Sequence, residues 1–124
     1  MMELEKTLLQ MGARPHRRGY LQAVELLRIF RDKPSISSLQ DAYLEAGANL
    51  EATPQQMDRN LREMIREIWD AGNRELLLQF MPWCRKNGPP SNKDFLCTFG
   101  ALLRTGAISE IAEPSLSVLS KPSV

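Results

Sequence analysis

Apolar residues recur at spacings of three and four along most of this chain, and no valine- or isoleucine-rich alternating segment bounded by turns interrupts them. That period predicts an all-α domain. The strongest pattern lies in "TPQQMDRNLREMIREIWDAGN", residues 53–73, where Met57, Leu61, Met64, Ile65, Ile68 and Trp69 share one side of a helix. Its start is marked as clearly as its face. Thr53 falls at the N-cap, Pro54 at the first helical position and Gln56 at the third, a T-x-x-Q capping box, and Gly72-Asn73 closes the segment.

The other helices follow from the same spacing. A short first helix over residues 3–11 turns Leu4, Leu8, Leu9 and Met11 inward and stops at Gly12. "RPHRRGYLQAVELLRIFRDKP" predicts a longer one, with Pro15 in its first turn, Leu21, Val24, Leu27 and Phe30 or Ile29 towards the core, and an end before Pro34. A third spans residues 36–46 with Ile36, Leu39, Ala42, Tyr43 and Ala46 inward, and Gly47 ends it ahead of a short connection to Thr53. After the opening segment, "RELLLQFM" is a helix that Pro82 ends or kinks, and "CRKNGPPSN" is a loop. Ser91 or Asn92 caps the last helix, "KDFLCTFGALLRT", which buries Phe95, Leu96, Phe99, Leu102 and Leu103. The expected architecture is a six-helix, all-α domain containing a helix-turn-helix, folded over residues 1–106. Residues 107–124, rich in serine and proline, are expected to form a flexible tail or a short partner-binding segment.

A chain of 124 residues with 43% apolar and 25% charged side chains can bury one core without disulfides or metals. Cys84 and Cys97, with the single histidine His16, are too few for a zinc site and are expected as buried free thiols. No glycine loop to cradle phosphate occurs, and His16, beside arginines at a helix start, is placed for a surface or capping role and not as a catalytic base. These features predict no enzyme, no cofactor and no metal. No signal-like amino terminus and no apolar run near the roughly 20 residues that span a bilayer occur, so a cytoplasmic, non-membrane protein is expected.

The net charge of +1 is segregated along the chain. Residues 1–34 carry seven basic and four acidic side chains, residues 35–73 three and seven, and residues 74–124 six and four. Attraction for a polyanion must therefore come mostly from the flanks. In residues 53–73 the side opposite the core carries Gln55, Arg59, Arg62 and Arg66, with Asp58, Glu63 and Asp70 alongside. Arginine can bond guanine, and glutamine adenine, through two atoms each. The same charges can pair along a solvated helix as Asp58–Arg62, Arg59–Glu63 and Arg66–Asp70, all spaced i,i+4. Asp41, Glu45 and Glu51 just before would also repel phosphates. On pattern alone, a helix that reads DNA and a core helix with a solvated face both stay open.

Three further stretches bear on that choice. "MGARPHRRGYL", "DRNLREMIREIWDAGN" and "PPSNKDFL", in that order between about residues 4 and 104, resemble successive landmarks of the C-terminal DNA-binding domain of the stage-zero sporulation response regulator. The resemblance implies an all-α domain of six helices with a helix-turn-helix whose second helix, residues 54–71, reads DNA. By position it places base contacts on Asp58, Arg59, Arg62 and Glu63, beside Gln55, and backbone contacts on Arg17, Arg18, Arg85, Lys86 and Lys93, with Arg66 a further candidate on the same helix. Glu63 stands where the family has histidine, and "GANLEA" replaces a lysine-bearing stretch. Family members usually carry a receiver domain ahead of this one. Either an excised domain or a free-standing relative is expected, with the starting Met-Met and an integral first helix leaning slightly to the latter; regulation of a free-standing version would come from expression level, dimerisation or a partner.

Two functions fit these features. The first is a sequence-specific DNA-binding transcriptional regulator acting on double-stranded DNA, as a monomer or a homodimer. The second, motivated by the acidic centre, is a protein-interaction module or antagonist that keeps the fold without binding DNA.

Overall fold

The computed structural model describes residues 2–33 and 38–109. Among them run β1 (Met2–Glu3), α1 (Leu4–Met11), α2 (Arg18–Asp32), α3 (Leu39–Leu50), α4 (Pro54–Ala71), α5 (Arg74–Phe80), α6 (Cys84–Asn87), α7 (Asn92–Arg104) and β2 (Ile108–Ser109). The all-α architecture stands, with a one-turn α6 where a loop was expected. Among the described residues no helix is long and apolar enough to cross a membrane.

α2 is the central helix, packed against α3, α4 and α7. That position explains a departure from the expected face. Nine residues of α2 are buried, among them Tyr20, Ala23, Leu26, Leu27 and Phe30. Only a stripe through Arg18, Leu21, Glu25, Arg28 and Asp32, with Arg31 beside it, is left for water, fully or in part. Leu21, expected inside, falls on that stripe and is 61% exposed. Tyr20 takes the inner place, its hydroxyl donating to Glu5 Oε1 at 2.9 Å. Pro15 likewise lies in the turn before α2 and not in its first turn.

α1 ends as expected at Gly12, whose φ of 110° suits a residue without Cβ, though Leu9 faces out at 45% exposure. α3 does not end at Gly47. It continues to Leu50, and a Cβ on Gly47 would stand 2.3 Å from the Ala52 carbonyl oxygen, so the glycine serves close approach of the following turn and not helix termination. The chain leaves α3 through Glu51, at φ 55°, a left-handed conformation uncommon outside glycine. The expected inward Ile36 lies outside the described residues.

α4 begins with both halves of the capping box, Gln56 N to Thr53 Oγ1 at 3.1 Å and Thr53 N to Gln56 Oε1 at 2.9 Å. Met57, Leu61, Met64, Ile65 and Ile68 are buried and Trp69 packs against the core. α5 stops at Phe80, ahead of Pro82, and Ser91 caps α7 by accepting from Asp94 N. Phe95 and Phe99 are fully buried, their rings tilted by 42° with centroids 4.8 Å apart, each contributing about 1.5–3 kcal/mol through burial. Cys84 is buried, but Cys97, expected inside, is on the exposed side of α7. Ile108 is buried and β2 pairs in parallel with β1, Met2 opposite Ile108 and Glu3 opposite Ser109. Ordered structure thus passes the expected boundary at residue 106 and brings the two ends of the described domain together; residues 110–124 of the expected tail lie outside the described residues.

Candidate nucleic-acid interface

α3, the turn at residues 51–53 and α4 form the helix-turn-helix. Because the buried row of α4 fixes its rotation, Gln55, Arg59, Arg62, Glu63 and Arg66 all face solvent. Two hollows flank them. One lies between α4 and the start of α2, lined by His16, Arg17, Arg18, Asn60, Glu63 and Glu67 among others. The other lies between α4 and the loop before α7, where Asp58, Arg62, Arg66, Pro89, Pro90 and Lys93 meet.

The first hollow depends on a close helix contact. A Cβ on Gly19 would sit 2.6 Å from the Asn60 carbonyl oxygen, and Asn60 Nδ2 donates to Gln22 Oε1 at 3.0 Å. The first turn of α2 is thereby seated on the middle of α4, with Arg17 and Arg18 beside it. α2 has neither a side-chain cap nor an acidic residue in its first turn, so nothing within the helix offsets the positive end of its dipole.

The cations on this face are held differently from one another. Arg59 makes no hydrogen bond or ion pair among the described residues, and does not pair with Glu63. It reaches two concavities, one with Arg17, Arg62 and Arg66, the other with Arg18, Leu50, Glu51 and Gln56. Arg62 donates to Asp58 Oδ2. Arg66 lies 3.8 Å from Asp70, and Arg17 lies 3.2 Å from Glu67. Two of the three i,i+4 pairs read from the pattern therefore form. Farther off, Arg85 pairs with Glu75 at 3.1 Å, while Lys86 and Lys93 are exposed without a partner among the described residues. Lys93 joins Arg62 and Arg66 at the second hollow; Arg85 and Lys86 line neither flank. On the acidic side, Glu45 of α3 is engaged by Lys33 Nζ at 2.7 Å.

Asp58 is the most constrained residue of the face. Its Oδ1 accepts from the Tyr43 hydroxyl at 2.8 Å and from Asn92 Nδ2 at 3.0 Å, and its Oδ2 accepts from Arg62. Asn92 Nδ2 also lies 3.0 Å from the Asp58 carbonyl oxygen and 3.1 Å from Tyr43 Oη. Burial pushes the Asp58 carboxyl up, but the hydrogen bonds from Tyr43 and Asn92 and the charge of Arg62 outweigh it and hold the group below the usual value. Burial, then the bond to Asp58, pushes the Tyr43 phenol up. At neutral pH the donor stays protonated and the acceptor ionised. Neither Tyr43 nor Asn92 stood out in the sequence as more than a core residue and a cap, because the partner of each lies on another helix.

This arrangement agrees with what the chain is similar to. Residues 4–102 match the family described as "Sporulation initiation factor Spo0A C terminal", a span that takes in α1 to all but the end of α7. The chain belongs to that family, which is one of DNA-binding effector domains of sporulation transcription factors and is not a catalytic family.

Proposed function

We propose that this member of the sporulation-initiation effector family binds double-stranded DNA as a sequence-specific transcriptional regulator, with α4 in the major groove. One observation carries the reading: Arg59, in the N-terminal half of the second helix of a helix-turn-helix, is exposed and unpaired among the described residues. An arginine so placed can offer two nitrogens to guanine O6 and N7. Gln55, one turn earlier, suits adenine, and Glu63 can accept from cytosine N4. Arg62 keeps its remaining nitrogens available beyond the one bound to Asp58. Arg17 and Arg18 on one flank, with Arg66 and Lys93 on the other, lie where phosphates bordering the groove would pass. Arg85 and Lys86 extend the backbone contacts outward.

A second reading, a protein-binding antagonist that keeps the fold, is favoured by the carboxylates that already engage Arg17, Arg62 and Arg66. Selection from random duplexes at low salt separates the two. Enrichment of a defined sequence supports the regulator; a pool left random, together with a co-purifying protein, supports the antagonist.

A further inference from the structure

We infer that Tyr43 and Asn92 are positioning residues which, through Asp58, hold the Arg62 guanidinium in one orientation and so set the base preference beneath it. The inference rests on the DNA reading above for its consequence, but its geometry stands on the free protein.

Arg62 is exposed, with 59% of its side chain open to solvent. An arginine at such a site ordinarily samples many rotamers, and a carboxylate one turn away seldom restrains it, because that carboxylate moves too. The pair Arg66–Asp70 is of this ordinary kind: the atoms are 3.8 Å apart and both side chains are more than 60% exposed. Asp58 differs because its other oxygen is pinned from two further helices. Tyr43 comes from α3 and is 3% exposed; Asn92 comes from the start of α7 and is 7% exposed. The surroundings of the Asn92 nitrogen, a carbonyl oxygen, a carboxylate oxygen and a phenol oxygen, can all accept, which fixes the amide with its nitrogen inward. Asp58 Oδ1 is thus held by buried donors, and Oδ2 is left aimed at Arg62.

An arginine ordered in the free protein loses less freedom on meeting a base edge, and it discriminates more sharply because it cannot swing to an alternative acceptor. The three helices that meet at Asp58 are the two of the helix-turn-helix and α7. The orientation of Arg62 is therefore a property of the packed domain and not of α4 alone.

The test uses the whole chain with Tyr43→Phe, which removes one hydroxyl and keeps the ring in the core, and Asp58→Asn as a second variant of nearly the same shape. Side-chain ¹⁵N relaxation in the free protein is expected to show the Arg62 Nε–H more ordered than those of Arg59 and Arg66, and to fall to their level in both variants. In competition with single-base variants of the selected duplex, Tyr43→Phe is expected to lose about fivefold of the preference at one base pair, with affinity for unrelated duplex unchanged. Equal Arg62 mobility in the wild type and Tyr43→Phe overturns the inference, as does a uniform loss of affinity on every duplex, the result of a purely structural role. If the wild type enriches no duplex, the DNA reading and the consequence for base choice fall together, and relaxation at Arg62 still decides the positioning.

Discussion

Replacing Gly19 by alanine sets two known effects against each other. In a helix alanine is favoured over glycine by up to about 1 kcal/mol. Against this, the new Cβ would lie 2.6 Å from the Asn60 carbonyl oxygen, and relief to an ordinary 3.4 Å contact requires a shift of about 0.8 Å. α4 cannot supply that shift, because Leu61 and Met64 next to Asn60 are in the core. The first turn of α2 must withdraw, stretching the Asn60–Gln22 bond of 3.0 Å. Overpacking of this kind costs about 1–3 kcal/mol, so at the middle of that range the clash wins by about 1 kcal/mol. Thermal unfolding should show a melting point lower by about 4 °C. Because Arg17 and Arg18 retreat with the turn, the slope of log affinity against log salt should also fall by about one to two. A Gly19→Ala variant as stable as the wild type, or more so, with an unchanged salt slope would mean that the Gly19–Asn60 approach does not seat α2 on α4.

Acid should weaken the Asp58 network in a defined window. The folded carboxyl lies below its ordinary value of 3.8, so its contribution is complete above about pH 4 and is lost as pH falls through the folded value. Denaturant titrations should show wild type more stable than Asp58→Asn at pH 7, with the gap closing towards pH 2; a gap that stays constant or widens contradicts the assignment. Lys93→Ala should weaken binding to all duplexes alike and lower the salt slope by about 0.9, whereas Arg85→Ala should change it less, since Arg85 is already engaged by Glu75; fluorescence anisotropy at several salt concentrations measures both.

What the sequence made legible was local. The capping box at Thr53 and the row from Met57 to Ile68 are settled within a few residues of chain, and both stand in the structure as read. The partner of Arg62 was legible for the same reason, one turn away. Contacts between distant segments were not. Leu21 and Tyr20 belong to two overlapping apolar sets, and only the placement of α2 among α3, α4 and α7 decides between them. Gly47 reads as a helix end until the carbonyl of Ala52 is seen against it. Asp58 reads as an exposed acid, yet its holders come from 15 and 34 residues away. The strand pairing of Ile108 with Met2 joins opposite ends of the domain, which no local pattern announces. The candidate site is thus a legible helix face in a setting only the fold supplies.

The regulator reading requires that the guanidinium of Arg59, without a partner among the described residues, reads a base. Affinity measured over every single-base substitution of the selected duplex, for the wild type and for Arg59→Ala, decides it. The wild type should penalise replacement of one guanine by about 1–3 kcal/mol and Arg59→Ala should no longer do so, while the other positions keep their preferences. An Arg59→Ala profile that matches the wild type at every position would contradict it.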